Sequence, residues 1–506
     1  MGGGKRIEII GGGIAGLCLG IRALRRGAEA VIYERGDKAG GLCQNWRRGG
    51  YDFNGCLHWV LGVREGSSFH DMWRSVADID SLRLVDHDER VDIELPLEGG
   101  GRWHFHLYND TDRLEAYLLT LAPEDRDAIR QWTDAIRTVE RMLPNLPPWP
   151  TETTALGRMA HYAKLWKMWS LLPIMNRWGR LTNKTFAQQM KSPLLRTALE
   201  RLYMDETRMT VVIFGQAYMA ARVAAYPIGG SAALTGLLER TFKELGGKLI
   251  IGRGVREIRT DGNRATGLTL NDGTRTEADA ICSCADWRWT VGDALGGKYV
   301  TARQKSLLTA GKEAIYPSYC RVHMGYAGTL ETLPHFFRLD EATTLPDGTQ
   351  FCQMEVEVNH FDPTLAPYGK TTLTVNYTTR EGQWWIDLRK GNPAKYAEAK
   401  DKIKRHVLAT LSKRLGQTFS PEKVEVADVT TPATYYRYTA NTLGSSQGWA
   451  PMDNLTKRPP VDTTLRGLRN FVMAGHWLEA GGGIPIALLT ALKAEKELAR
   501  QGLLTK

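Results

Sequence analysis

The chain has 506 residues, 42% of them hydrophobic and 24% charged, with a formal net charge of +10, which allows two or three globular domains and excludes a disordered or fibrous chain. Seven scattered cysteines exclude a disulfide framework,, and no apolar run reaches the roughly twenty residues of a membrane-spanning helix. Residues Met1 to Arg6 are Gly-rich and carry no apolar stretch with a cleavage site, so a cytoplasmic chain with reduced thiols is expected,.

The first informative stretch runs from Ile7 to Glu34. Apolar Ile7, Ile9 and Ile10 predict a short buried strand, Gly11, Gly13 and Gly16 a tight turn, and the apolar run to Leu24 a helix,. A second strand, Ala30 to Tyr33, ends in Glu34, about twenty residues past the turn, where a dinucleotide fold places a carboxylate against a ribose hydroxyl. Gly11 permits the turn, Gly13 lets backbone approach a pyrophosphate, and Gly16 lets the helix pack on its strand, with the helix N-terminus facing the anion. Gly40-Gly41 predicts a second backbone-exposing turn. Tyr51 to Trp59 then reads as a strand that brings His58 and Trp59 towards the first turn.

Further on, Ser67 to Leu84 is expected to be helical, Val91 to Leu107 a strand pair around Gly99 to Gly101, and Arg113 to Leu143 one helix broken by Pro144 and the prolines after it. His104 and His106 would share a strand face. With no third ligand near them in sequence, they predict exposed histidines and no metal site. From Thr153 to Leu199 there is no Asp or Glu, while Arg158, Lys164, Lys167, Arg177, Arg180, Lys184, Lys191 and Arg196 fall there. On a helix that Pro173 would stop, Met159, Tyr162, Leu165, Trp166, Trp169 and Leu172 share one face. Two readings stay open for residues 156–181: a core-facing helix with a solvated basic face, or an interfacial helix on an anionic membrane or at the mouth of an apolar tunnel. No nucleic-acid module accompanies the charge.

Tyr226 to Leu238 predicts a Gly turn with Ser231 capping a helix to Leu245. Strands at Lys248 to Ile251, Val255 to Arg259, Ala265 to Leu270 and Ala278 to Cys282 return the chain to α/β composition, so the first domain is discontinuous. Alternating strands between Ser318 and Thr378 predict an antiparallel sheet, closed by a charged helix from Ala394 to Leu415. Asn470 to Arg500 again reads strand, Gly-rich turn, helix, but without a following acid. It is therefore no second dinucleotide fold, and its amides at Gly481 to Ile484 can stabilise negative charge.

These pieces resemble the flavoprotein family of phytoene desaturases, carotenoid isomerases and retinol saturases, within the wider amine-oxidase-like group. The resemblance is carried by G-G-G-I-A-G at Gly11 to Gly16, A-G-G at Ala39 to Gly41, G-Y-D-F-N-G-C-L-H-W at Gly50 to Trp59, Y-P-I-G-G-S at Tyr226 to Ser231, Tyr435 to Trp449, and A-G-H-W with G-G-G-I-P near the C-terminus. It implies an α/β fold: a discontinuous Rossmann-type FAD-binding domain (1–75, 222–300 and 465–506) and an inserted α+β substrate domain with an antiparallel sheet and helical cap (76–221 and 301–464). It also implies cofactor contacts. Gly11, Gly12, Gly13, Ile14, Ala15 and Gly16 would hold the pyrophosphate, Glu34 with Arg35 the adenosine side, Gly40, Gly41 and Leu42 the ribityl and pyrophosphate region, and Val255 the adenine. Gly475 with Gly482, Gly483, Ile484 and Pro485 would flank the isoalloxazine. Leu42 and His476 depart from the family pattern, which has Arg and an acidic residue there.

With FAD bound, hydride transfer is the cofactor's chemistry, which lowers the demand on side chains. His58, after the Gly55-Cys56 turn, is the expected proton-transfer residue beside the flavin, with packing alone as its competing role, and Glu479 is a second acid/base candidate. A single dinucleotide fingerprint favours oxygen, a quinone or net-neutral use of the flavin over a nicotinamide-reading domain. The expected activity is desaturation, saturation or isomerisation of a long apolar polyene or isoprenoid. Reduction or cyclisation of a polyketide-type polyene, and flavin binding at a membrane without turnover, are the alternatives.

Overall fold

The computed structural model describes residues 4–97, 99–146, 159, 171–204, 206–450, 461–479 and 481–505. Two sheets organise them. The first is a five-stranded parallel sheet in the order Lys248–Ile250, Glu29–Tyr33, Arg6–Ile10, Ala280–Ser283 and Phe471–Met473. Ile7 and Ile9 are fully buried at its centre, as expected for a strand covered on both faces,.

Helix Ile14–Arg25 returns along this sheet. A Cβ at Gly16 would lie 2.0 Å from the Gly11 carbonyl oxygen, and one at Gly20 would lie 2.6 Å from the Phe242 ring of helix Gly230–Glu244. Only glycine allows both approaches. Helix Ile484–Arg500 packs on the other flank, and its buried Glu495 accepts from Arg22 at 3.1 Å and pairs with Arg26. The two ends of the chain are thereby built into one layer.

The second sheet has seven strands in the order Val424–Thr430, Ser318–Tyr326, Thr371–Thr379, Gln350–Val358, Phe336–Thr344, Glu89–Pro96 and Arg102–Tyr108. It is mixed rather than purely antiparallel, because Phe336–Thr344 runs parallel to Glu89–Pro96. One face (Cys320, Val322, Met324, Met354, Val356) forms a core with Ile403, Val407 and Leu411 of helix Pro393–Leu415. Alternation along the strands sends Tyr319, Arg321, Glu355 and Glu357 to the opposite face.

Several local expectations give way to specific competitors. The helix expected over Ser67 to Leu84 is Ser68–Arg74, followed by a short 3-10 turn and the strand Leu84–Val85. The single helix expected from Arg113 is two, Thr111–Leu121 and Arg126–Met142, because Pro123 opens a 3-10 turn between them,. Pro173 lies in the first turn of helix Leu172–Trp178 and starts it, since a first-turn proline loses no helical hydrogen bond,. The strand at Tyr51 ends at Asn54. Ser231 does not cap its helix; Gly229, at φ +97°, precedes the first turn, and the serine is used elsewhere. Most of 156–181, including Tyr162, Leu165, Trp166 and Trp169, lies outside the described residues. No helix among the described residues is long and apolar enough to cross a membrane.

Candidate active site

A cavity of about 500 Å³ lies where the carboxyl ends of the parallel sheet meet the free face of the mixed sheet. Gly11 takes φ +97°, and Gly40, at φ +119°, donates to the Gly12 carbonyl at 2.9 Å, so the two glycine turns are joined backbone to backbone. A Cβ at Gly13 would meet nothing closer than 3.9 Å and would enter the cavity. The carboxylate of Glu34 accepts from Gly12 N at 2.8 Å and Gly36 N at 2.7 Å, which fixes its orientation at the cavity edge. Helices Ile14–Arg25 and Ile484–Arg500 both begin here without a side-chain cap and without an acid in the first turn, leaving amide donors for an anion,.

Of the residues singled out from sequence, Gly11, Gly13, Ile14, Ala15, Glu34, Arg35, Gly40, Gly41, Leu42, His58, Val255, Gly475, Gly483 and Ile484 line this cavity. Gly12, Gly16, Gly482 and Pro485 stand behind the wall. Gly482 supports it by close approach, since a Cβ there would lie 2.0 Å from the Gln447 carbonyl oxygen. Glu479 is not a wall residue; its carboxylate accepts from Lys493 Nζ at 2.8 Å, an ion pair that occupies it structurally. His476 faces the cavity, and burial lowers its pKa to about 4, so it is neutral.

His58 is held in place by a cross-tie. Asn54 Oδ1 accepts from Ser231 Oγ at 2.7 Å, and Ser231 Oγ in turn accepts from Leu57 N at 3.2 Å, fixing the turn that ends in His58. Its Nδ1 lies 2.5 Å from Glu357 Oε1. Burial raises the Glu357 pKa to about 7, with Arg321 opposing, while burial and the cations Arg321 and Arg90 lower that of His58 to about 4. The pair therefore holds one proton across much of the range between these values. Glu357 Oε1 also accepts from Asn376 Nδ2 at 3.2 Å. Once Glu357 ionises, its charge beside the ring favours a proton on Nδ1, which leaves Nε2 as an acceptor.

Sequence reasoning missed Glu357 and also Arg321. Arg321 is 6% exposed; its guanidinium donates to the Gly55 carbonyl oxygen at 2.6 Å and lies 4.0 Å from the Tyr319 ring centroid, while its Nε has no hydrogen-bond partner among the described residues. The available signal was a cation in strand Ser318–Tyr326, flanked by the apolar alternate positions Cys320, Val322 and Met324. His104 and His106 also acquire neighbours that the sequence did not show. Across the hairpin, Asp92 pairs with His104 at 2.8 Å and Glu89 with His106 at 2.9 Å, and ligand atoms of Glu89, Asp92 and His106 lie within 4.8 Å of one another.

The cradle fits a flavin dinucleotide. The glycine turns leave room for a pyrophosphate, two uncapped helix N-termini point at it, and the buried His476 Nε2 and Arg321 Nε in the same wall lack partners among the described residues,. Fold and site together define a dinucleotide-binding flavoprotein of the oxidoreductase class.

Residues 14–494 match the flavin containing amine oxidoreductase family, and the chain belongs to that family. It is an FAD-dependent oxidoreductase or isomerase. It is 21% identical over 534 residues to prolycopene isomerase 1 of an Oncidium hybrid cultivar, covering 98% of this chain and 84% of that one. With a zeta-carotene-forming phytoene desaturase of Myxococcus xanthus it shares 23% identity over 521 residues, 96% of this chain and 92% of the relative. With a lycopene-forming phytoene desaturase of Paracoccus it shares 25% over 316 residues, 60% of this chain and 58% of the relative. In fold it is similar to an oxidoreductase from Methanosarcina mazei (TM-score 0.59, 16% identity, 97% of this chain and 100% of that one). A triple mutant of putrescine oxidase matches at TM-score 0.58 and 13% identity, over 98% and 99% of the two chains.

Proposed function

We propose that the protein desaturates, saturates or isomerises carbon–carbon bonds of a long polyene or isoprenoid. The observation that carries this reading is the match over nearly the whole chain to a prolycopene isomerase and a phytoene desaturase. Bound FAD would be held by the Gly11 to Gly16 and Gly40-Gly41 turns, Glu34 and the Gly475 and Gly483 loops, and supplies hydride acceptance or donation.

The chain's own residues handle the proton. With Nδ1 engaged by Glu357, Nε2 of His58 is the atom left to take a proton from carbon or return one. Arg321, fixed on Gly55, keeps a positive charge beside this pair and sets its affinity for the proton.

The test is anaerobic mixing of the FAD-loaded protein with phytoene or prolycopene in liposomes. A change in the polyene's absorption, with or without reduction of the flavin, is expected with these hydrocarbons or with a conjugated polyene acid; unchanged polyene and flavin spectra with all of them would overturn the reading. Peripheral contact of residues 156–181 with an anionic membrane belongs to the same proposal, supported by the acid-free run from Thr153 to Leu199, and flotation with anionic against neutral liposomes tests it.

A further inference from the structure

A second cavity, of about 300 Å³, adjoins the first, and His58 lines both. Its wall is not purely apolar, as one around a hydrocarbon would be. Besides Leu57, Trp59, Val85, Val91, Leu202, Met219, Phe336, Phe361 and three alanines it carries His87, Arg90, Asn109, Tyr203, Arg338, Glu355 and Glu357. Most of its charges are already matched: Glu355 accepts from Arg338 at 2.9 Å, Glu89 pairs with His106, Glu357 with His58, and Asp86 with Arg64 at 2.7 Å. Asp88, Asp110 and Arg222 are exposed to solvent.

Arg90 is the exception. Its guanidinium sits between two rings, 5.4 Å from the centroid of Trp59 and 5.7 Å from that of Tyr203, and no carboxylate among the described residues pairs with it. Among the described residues, Arg90 Nη1 is buried without a hydrogen-bond partner, and so are Tyr203 OH, Asn109 Oδ1 and His87 Nε2 of the same wall. Arg90 is partly buried, and a buried donor of an unmatched cation is costly unless an acceptor completes it. The two ring faces favour a cation at this place, and the planar fork of an arginine suits the two-oxygen geometry of a carboxylate. A diphosphate would bring more negative charge than one unmatched arginine neutralises, into a wall that already contains carboxylates.

We infer that the substrate is a polyene or isoprenoid ending in a carboxylate, and that Arg90 binds this end while the unsaturated chain passes His58 into the flavin cavity. The inference rests on the polyene reading above. It narrows the substrate class to unsaturated acids, as opposed to hydrocarbons.

The probe is the fluorescent conjugated acid α-parinarate, compared with its methyl ester, in binding to the FAD-loaded protein. The acid is expected to bind at least about tenfold more tightly than the ester, as a charge-assisted hydrogen bond predicts. Arg90→Gln should remove the preference and Arg90→Lys should keep part of it, with flavin content and melting temperature reported for each. The acid-to-ester ratio in the unmodified protein stands even if a variant does not fold. Equal binding of acid and ester, or a preference that survives Arg90→Gln, overturns the inference. Turnover of phytoene that is indifferent to Arg90→Gln, together with no acid preference, overturns it while leaving the polyene reading intact. Arg90-dependent acid binding with no chemical change in any polyene supports the anion site and overturns that reading instead.

Discussion

His58 Nδ1 lies 2.5 Å from Glu357 Oε1, at the boundary between the cavity that receives the cofactor and the cavity beyond it. One residue comes from the turn after the first glycine loops, the other from the middle of the mixed sheet. Their proton is shared between distant parts of the chain.

The pH dependence follows from the directions of the two shifts. Burial holds the Glu357 proton up to about 7; above that pH the carboxylate beside Nδ1 favours the ring proton there and leaves Nε2 free to accept one,. A step in which His58 takes a proton should therefore speed up as pH rises through about 7, and Glu357→Gln should flatten that limb. Stability has two opposed contributions. Glu357, raised on folding, favours the folded state at low pH and loses that contribution as pH rises through its folded value of about 7,. His58, lowered to about 4, favours the folded state above its ordinary value and loses that contribution as pH falls through the folded one,. Rates measured against pH for both proteins check the activity limb.

Arg321 tunes the same limb. Its charge favours ionisation of Glu357 and disfavours protonation of His58. Arg321→Met should move the rising limb to higher pH, because Glu357 then keeps its proton longer. A limb unmoved in the variant would place Arg321 outside the proton inventory.

Two glycines separate cofactor binding from folding. Gly13 has φ −72° and open space where a side chain would go, so Gly13→Leu should fold normally and lose FAD, as read by flavin absorbance after gel filtration. Gly16→Val places a Cβ 2.0 Å from a backbone oxygen and should lower the melting temperature itself,.

Arg414 ties helix Pro393–Leu415 to the mixed sheet. Its guanidinium is 5% exposed, pairs with Glu94 and reaches Glu341 at 2.9 Å. Arg414→Ala leaves the buried Glu94 carboxylate with only the half-exposed Arg102 at 3.0 Å and Asp340 N at 3.2 Å, and should cost about 1–3 kcal/mol in denaturant unfolding.

The parts legible in the sequence are those whose physics is local. The turn from Ile7 to Glu34 contains strand, glycines, helix and acid within one supersecondary unit, and the C-terminal Gly475 to Ile484 loop has the same continuity. The proton pair was half visible: His58 follows a turn, whereas Glu357 alternates with Met354, Val356 and Val358 as an outward-facing residue of any half-buried strand would. Whether that outward face meets solvent or a cavity depends on which layer covers it, and strand alternation carries no information about that. Arg90 and Arg321 were hidden for the same reason. Ser231 shows the converse: its sequence position fits a helix cap, but Asn54 from a distant strand claims the hydroxyl. Pro123 was the missed local signal, and it alone accounts for the split of the expected Arg113 to Leu143 helix.

The central claim is that a flavin and the His58–Glu357 pair act together on the double bonds of a polyene. The most direct measurement is product analysis after anaerobic incubation of the FAD-loaded protein with phytoene, prolycopene and α-parinarate in liposomes, beside putrescine as an amine control. A product differing in the number or geometry of its double bonds, lost in Gly13→Leu and slowed in His58→Ala, is the predicted result. Unchanged polyenes, with putrescine reducing the flavin, would contradict the account.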